Sequence, residues 1–413
     1  MKSIKVFILL SIAFFCFDLQ AQWINCNGPY GGSIFALENN SELVIAGTYN
    51  GIFVSTNNGL SWTQRNFGIP QIPITSLLVK GNTIFAGTET QLGVGGIYKS
   101  TDNAISWIPA NNGLTVSAIS RIFSIVASDS ALYASAYGKG VYKSFDNGDN
   151  WFEINSGLTS TAVRNLAQSS GYIYCATEGG IYRSSNSGLG WVKLSNGLPT
   201  GAVFSIGAVG EFVYTSFFTN EIFRSTNYGL FWTDITGGLP AAIIPPYAFF
   251  GANKYNVFAG TYGNGIYHTS NFGVNWTAQS QGLPDSTTVS CFTIKDTTMF
   301  AGTIYGAFRR PVSQLVGIRQ ISSAVPGSFA LEQNFPNPFN PKTVIRFSLS
   351  QTQNVTLKVY DILGKETASL INEKMLPGTY EYSFNAANLS SGIYFYKLTA
   401  GSFSQTKKML LSK

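Results

Sequence analysis

Few side chains in this sequence are suited to acid–base or metal chemistry, and they are scattered along the chain. His268 is the only histidine among 413 residues, which excludes a histidine-based triad and a histidine metal site. Asp146-Asn147-Gly148-Asp149 carries two carboxylates, but their spacing does not supply the ligand set of a calcium loop. Glu89 and Glu178 remain as a possible acid–base pair. We therefore predict no metal and no cofactor.

The elements that position these residues are set by a repeat that ends on tryptophan. Trp23, the first of seven tryptophans, is followed by six more at intervals of roughly 40–45 residues, which is typical of a repeat built from small sheets. Each later tryptophan ends an eight-residue box such as S-T-N-N-G-L-S-W at 55–62. The third and last positions of the six boxes are Asn57 and Trp62, Asp102 and Trp107, Asp146 and Trp151, Asn186 and Trp191, Asn227 and Trp232, and Asn271 and Trp276.

The box has the composition of a turn between two strands. Asp or Asn at the third position can bond the backbone two residues on. Gly at the fifth position supplies a positive φ, although Ala104 stands there in the second box. The tryptophan then begins the next strand and is expected to pack over the hairpin. His268 occupies a strand position filled elsewhere by Lys99, Lys143 or Arg183, so we expect it to face solvent.

Four short strands per repeat predict an all-β fold, a seven-bladed β-propeller over residues 22–310. The seventh repeat lacks a box, and Trp23 begins a strand that no box precedes. We therefore predict that this N-terminal strand completes the seventh blade and leaves no open sheet edge at the closure.

The boxes resemble the Asp-box, or bacterial neuraminidase repeat, of sialidases, sortilin-type domains, photosystem II assembly factors and two-propeller xyloglucanases. The resemblance implies a propeller but no particular chemistry. A sialidase would need three arginines on one carboxylate, whereas only Arg121 and Arg164 fall near the start of innermost strands. A two-propeller xyloglucanase would need a second propeller, and this chain has room for one.

A binding surface is predicted where the loops between second and third strands share a face with the loops that join blades. The box turns lie on the opposite face. Tyr and Asn next to Gly recur in these second-to-third loops, and such residues suit sugar rings or peptide chains. The candidate binding residues are Tyr49, Asn50, Glu89, Tyr137, Lys139, Glu178, Tyr262, Asn264 and Tyr305. Each tyrosine could instead simply pack against a neighbouring loop.

The N-terminus and the charge distribution indicate export. Residues 1–21 have the two lysines, short apolar run and Leu19-Gln20-Ala21 ending of a signal peptide. That apolar run is too short to span a bilayer, and we predict no transmembrane segment elsewhere. Residues 22–310 carry equal numbers of basic and acidic side chains, so no nucleic-acid partner is expected.

Residues 311–327 are predicted to be a linker and residues 328–413 a small immunoglobulin-like β-sandwich. Val355–Asp361 alternates apolar and polar residues, as a half-buried strand does. The region resembles the type A sorting domain of the type IX secretion system, with N-F-P-N-P-F-N-P at 334–341, V-Y-D-I-L-G-K at 359–365, S-G-I-Y-F-Y-K-L at 391–398 and a basic K-K-M-L-L end. The resemblance implies the type IX machinery as a partner, and a protein that is secreted or attached to the outer surface.

Two functions remain open. The first is a secreted propeller that binds a glycan or protein without catalysis. The second is a glycan-cleaving hydrolase of the Asp-box type, in which Glu89 and Glu178 would be the two carboxylates. Carboxyl groups about 5–10 Å apart in one cleft would favour the hydrolase.

Overall fold

The computed structural model describes residues 22–91, 93–115, 121–239, 246–251, 256–269, 273, 276–315, 318–322, 324–375, 377–386 and 389–413. The signal peptide predicted at residues 1–21 and the box residue Asn271 lie outside this set. The described residues form an almost entirely β structure, as predicted.

The described residues between 22 and 311 form successive four-stranded antiparallel sheets, as expected for short strands joined by glycine-containing turns. The strands are β1 Ile24–Asn25; β2 Ile34–Asn39, β3 Val44–Thr48, β4 Gly51–Ser55, β5 Thr63–Gln64; β6 Ile74–Lys80, β7 Thr83–Thr88, β8 Ile97–Ser100, β9 Ile108–Pro109; β10 Ile122–Ala127, β11 Leu132–Ala136, β12 Gly140–Ser144, β13 Phe152–Glu153; β14 Val163–Ser169, β15 Tyr172–Thr177, β16 Gly180–Ser184, β17 Val192–Leu194; β18 Val203–Val209, β19 Phe212–Phe217, β20 Ile222–Ser225, β21 Thr233–Asp234; β22 Pro246–Gly251, β23 Val257–Thr261, β24 Ile266–Thr269, β25 Thr277–Ala278; β26 Val289–Lys295, β27 Thr298–Thr303 and β28 Gly306–Pro311.

The sheets follow one another in a closed cycle. The innermost strand of each sheet contacts the innermost strand of the next, from β2 through β6, β10, β14, β18, β22 and β26, and β26 in turn contacts β2. The last sheet has the order β1-β28-β27-β26. Ile24 pairs with Arg309 and Asn25 with Phe308, so the predicted pairing of the N-terminal strand with the last sheet is confirmed.

The C-terminal part contains two further four-stranded antiparallel sheets, with the orders β29-β34-β31-β30 and β33-β32-β35-β36. Their strands are β29 Ile318–Ser322, β30 Ala330–Leu331, β31 Lys342–Leu349, β32 Gln353–Tyr360, β33 Glu366–Met375, β34 Gly378–Asn385, β35 Gly392–Ala400 and β36 Phe403–Leu411. Alternate residues of both sheets are buried in one hydrophobic cluster, which includes Phe347, Leu357 and Tyr396.

The linker predicted at residues 311–327 is not without regular structure. A short helix α1, Val312–Leu315, follows β28 directly, and β29 pairs with β34 of the sandwich. The predicted linker therefore contains a helical turn and a strand that its composition did not indicate. A run of five residues is too short for its period to indicate a strand, and pairing with a distant strand supplies the missing stabilisation.

His268 is buried, which contradicts the prediction that it faces solvent. Only 7% of its surface is exposed, its ring stacks on Phe258 with centroids 4.7 Å apart, and Nε2 can donate to Oδ1 of Asn256 at 2.8 Å. The equivalent Lys143 is also buried, and its Nζ donates to the backbone oxygen of Ser187 in the next sheet. At Lys143 this strand position faces the neighbouring sheet and is covered by the box turn of that sheet. The sheet after His268 has no box, and the His268 ring is instead buried against Phe258 and Asn256 of its own repeat.

Burial of His268 predicts a loss of stability in mild acid. Burial lowers the pKa of His268 to about 4, below its ordinary 6.5. As the pH falls from 6.5 towards 4, the unfolded chain gains a proton that the folded chain cannot hold, so the free energy of unfolding decreases by roughly 3 kcal/mol. His268→Gln, which can still donate to Asn256, should remove this acid-dependent decrease in the free energy of unfolding. Denaturant unfolding of both proteins at pH 7 and pH 4.5 measures the decrease. An equal decrease in the two proteins would contradict its assignment to His268.

Candidate functional site

The box turns are held by a repeated set of hydrogen bonds. In the first box the Ser55 hydroxyl donates to Oδ1 of Asn57 and accepts from the N–H of Gly59 at 2.8 Å. Oδ1 of Asn57 accepts from the N–H of Ser61 at 2.9 Å. Gly59 has φ +80°, which an L side chain adopts only with strain. The boxes at Asp102, Asp146, Asn186 and Asn227 repeat the three bonds.

Two details of the box differ from the sequence prediction. The side chain at the third position bonds the backbone four residues on, whereas a bond two residues on was predicted. The serine at the first position also had no predicted role, although its hydroxyl caps the turn in these five boxes. Its presence in five boxes and a threonine, Thr269, in the sixth was the available signal.

Four of the tryptophans bond to the preceding sheet through both the backbone N–H and Nε1, so packing over their own hairpin describes them incompletely. The backbone N–H of Trp151 donates to Asn112 O and its Nε1 to Ala110 O. Gly113 lies so close to this strand that an added Cβ would meet the Trp151 carbonyl oxygen at 2.1 Å. Trp107, Trp191 and Trp23 make the same pair of bonds, and the side chains of these four residues are buried. Trp232 and Trp276 are buried and Trp62 is half-buried.

The second-to-third loops lie at the opposite edge of the sheets from the box turns, because successive strands are antiparallel. We call this edge the loop face. Tyr49, Tyr262 and Tyr305 are exposed there, as predicted from the loops, and so are Asn50 and Asn264. Lys139 is half-buried.

Tyr137 is not a free surface aromatic. Its hydroxyl donates to Oε1 of Glu178, and its ring packs edge-on against Phe123 with centroids 5.4 Å apart. The guanidinium of Arg164 lies 5.2 Å from the same ring and donates to Oε1 of Glu178 at 3.0 Å. Tyr137, Arg164 and Glu178 therefore form one cluster drawn from the third and fourth sheets.

A second ion pair joins Glu89 to Arg121, whose Nη2 donates to Oε2 at 2.6 Å. Both predicted candidate carboxylates are thus engaged by arginine. Hydrogen bonds from Tyr137 and Arg164 hold the pKa of Glu178 below its usual range. A glycosidase general acid needs a pKa that is raised towards neutrality. The pKa of Glu178 is lowered, so Glu178 is unsuited to that role.

The sequence prediction missed a ring of residues at the inner end of the loop face. Each innermost strand carries a β-bulge one residue after its start, for example between Val163 and Asn165 of β14. A bulge leaves the extra residue unpaired and redirects its side chain. The extra residues whose side chains are described are Phe35, Thr75, Phe123, Arg164, Phe204 and Ser290.

These six side chains line a cavity of about 180 Å³, which we call the axial pocket. Its lining also includes Arg121, Asn165, Ser205, Ile206, Ala248 and Phe249, so all seven innermost strands contribute. The pocket combines two guanidinium groups with four phenylalanine rings. The available sequence signal was positional, because each bulge residue follows the first residue of its strand, most often Ile or Val.

The C-terminal region matches a known family. Residues 333–412 match the family described as "Secretion system C-terminal sorting domain". The chain therefore carries a sorting domain of the type IX secretion system, and the protein is exported to the cell surface or the medium, as the sequence motifs predicted. A search of curated proteins by sequence found no match.

Similar solved structures confirm a propeller-type fold. "YCF48 bound to D1 peptide" has 13% identity and a TM-score of 0.54 over 71% of this chain and 96% of that one. The WD40 β-propeller domain of Doa1 has 10% identity and a TM-score of 0.54 over 70% of this chain and 96% of that one. The GH74 xyloglucanase from Xanthomonas campestris has 14% identity and a TM-score of 0.54, and the alignment covers 79% of this chain but only 59% of the xyloglucanase. At these identities the likeness concerns the fold alone.

Within the residues that the structure describes, no helix is long and apolar enough to cross a membrane. Among the same residues, no three His, Cys, Asp or Glu side chains group closely enough to hold a metal ion.

Proposed function

We propose that residues 22–310 form one closed seven-bladed propeller that binds a glycan or protein ligand on its loop face without catalysis, and that residues 328–413 form an immunoglobulin-like sorting domain. The closed cycle of contacts between innermost strands supports the ring. The two sheets around one buried cluster support the sandwich.

The observation that carries the binding proposal is the arrangement of aromatic side chains on the loop face. Tyr49, Tyr262 and Tyr305 are exposed on three sheets that are neighbours in the cycle, so they lie on one side of the loop face. Exposed aromatic rings on a rigid scaffold are common anchors in recognition surfaces. The opposite edge of the sheets carries the box turns, and we call it the box face. It also exposes apolar side chains, such as Leu189 and Phe231, but the Asn side chains of these boxes already hold the turns through hydrogen bonds.

The ion pairs argue for binding over hydrolysis. A retaining or inverting glycosidase needs one protonated carboxyl and one free carboxylate across the scissile bond. Glu89 and Glu178 are each paired with an arginine, and neither lines the axial pocket. The hydrolase remains the alternative against which the proposal is tested.

The test is a glycan and peptide array probed with the purified chain, followed by product analysis of every glycan that binds. We expect retained binding with no release of shorter sugars. Cleavage that is abolished by Glu178→Gln would replace the binding function with the hydrolase. An array without any specific signal would contradict the proposal.

A further inference from the structure

We infer that the axial pocket is a binding site for a carboxylate carried next to an apolar group. The inference rests on the proposed function, because it names the chemical class that the loop face would recognise. Arg121 and Arg164 supply two positive charges to the pocket, and no carboxylate lies among its lining residues. The walls contributed by Phe35, Phe123, Phe204 and Phe249 favour an apolar neighbour for the anion.

The two guanidinium groups are held in place by aromatic rings. The Cζ atoms of Arg121 and Arg164 lie 5.0 and 5.9 Å from the centre of the Phe123 ring. Arg164 also lies 4.9 Å from the ring of Phe218. Arginine stacked between rings loses little conformational freedom when it binds, and its planar group matches a carboxylate in shape. The pocket is therefore organised before a ligand arrives.

Each arginine has N–H groups beyond those that bond Glu89, Glu178 and Tyr137. A guanidinium carries five N–H groups, and among the described residues Arg121 uses one nitrogen on Glu89. Arg164 uses one nitrogen on Glu178 and Tyr137, while its Nε is buried without a hydrogen-bond partner in the described part of the chain. The side chains of Arg121 and Arg164 are 30% and 27% exposed, so a ligand carboxylate would accept from their remaining Nη groups and not from the buried Nε. Charge-assisted bonds of this kind are among the stronger ones.

Glu178 acts as an internal competitor in this arrangement. Its side chain is 42% exposed and stands outside the pocket lining while bonding to Arg164. A ligand anion would share or replace that bond. Removing the charge with Glu178→Gln should therefore tighten the binding of an anionic ligand, whereas a hydrolase carboxylate would be needed for activity.

The experiment titrates the full chain from residue 22 with matched probes by calorimetry. The probes are N-acetylphenylalanine against its amide, and glucuronate against glucose. N-acetylphenylalanine, which carries an aromatic ring next to its carboxylate, should bind about tenfold or more tightly than its amide. A preference confined to glucuronate over glucose would overturn the requirement for an apolar neighbour. Equal binding of acid and neutral probe, or no saturable binding of either acid, would overturn the inference without any variant.

Variants then locate the site. Arg164→Met and Arg121→Met, checked for an intact melting transition, should weaken binding of the acid about tenfold or more. Lys193→Gln removes the same charge from an exposed position on the outermost strand β17, outside the pocket, and should leave binding unchanged. An equal loss in Lys193→Gln would show that the charge acts through a diffuse field and would overturn the site. Array binding that needs Tyr262 but survives Arg164→Met would overturn the carboxylate site and leave the proposed function standing.

Discussion

Deleting residues 22–32 should lower the melting temperature of the protein by roughly 10 °C or more. The deletion removes β1, so β28 keeps only β27 as a partner and becomes the edge strand of the last sheet. It also removes Trp23, which is 2% exposed, and whose N–H and Nε1 donate to Gln281 O and Gln279 O in the preceding sheet. Loss of a buried tryptophan alone costs roughly 3–5 kcal/mol, and each kcal/mol is worth about 2–4 °C in a domain of this size.

Two single substitutions within the same segment serve as the comparison and the control for this deletion. Trp23→Ala should reproduce much of the loss, because it leaves the pairing but empties the buried site. Ile24→Ser changes a neighbouring side chain that is 50% exposed and should shift the melting temperature by a degree or two, within about 0.5 kcal/mol. Differential scanning calorimetry compares the variants. A deletion that melts like the intact chain would show that the ring does not depend on its N-terminal strand.

Removing residues 318–413 should abolish surface display and leave the propeller in the periplasm of a host with a type IX system. The sorting-domain match covers 333–412, and β29 at 318–322 belongs to the same sandwich, so a cut at 328 would leave that strand without a partner. The location is measured by protease accessibility on intact cells and by fractionation.

A sufficiency test accompanies this deletion, because an unstable truncated chain could disappear for another reason. Residues 318–413 fused to a periplasmic reporter should bring the reporter to the surface or into the medium. A reporter fused to residues 22–311 should stay in the periplasm. Display of the truncated protein at the level of the intact one would contradict the sorting role.

The repeat made the fold accessible from sequence. Six boxes in register fixed where third strands end and fourth strands begin, and the isolated Trp23 implied the pairing that β1 makes with β28. The strand β29 was missed, because its segment was predicted to be a linker. β29 is short and is held by pairing with residues of β34 that lie 57 to 64 positions away, and such pairing leaves little trace in local sequence.

The candidate site was harder to predict from the sequence than the fold, for a physical reason. The positions of Tyr49 and Tyr262 followed from loop placement, since they need only to be exposed. The bulges were not predicted, because each lies one residue after the start of its strand, where too little alternation precedes the extra residue to reveal it. The ion pair of Arg121 with Glu89 joins adjacent sheets across 32 residues. That of Arg164 with Glu178 joins two neighbouring strands of one sheet across 14 residues, and nothing in either loop alone indicates these pairs.

The central claim is that the loop face binds the ligand, whereas the box face only holds the turns of the propeller together. The direct measurement compares array binding of Tyr262→Ala with that of Phe231→Ala, two aromatic side chains exposed by 53% and 58% on opposite faces. Both variants should melt near the intact chain, because each loses little buried surface. We predict that Tyr262→Ala loses about tenfold or more of the array signal, as for an interface anchor, and that Phe231→Ala retains it. The opposite result would place binding on the box face and contradict the account.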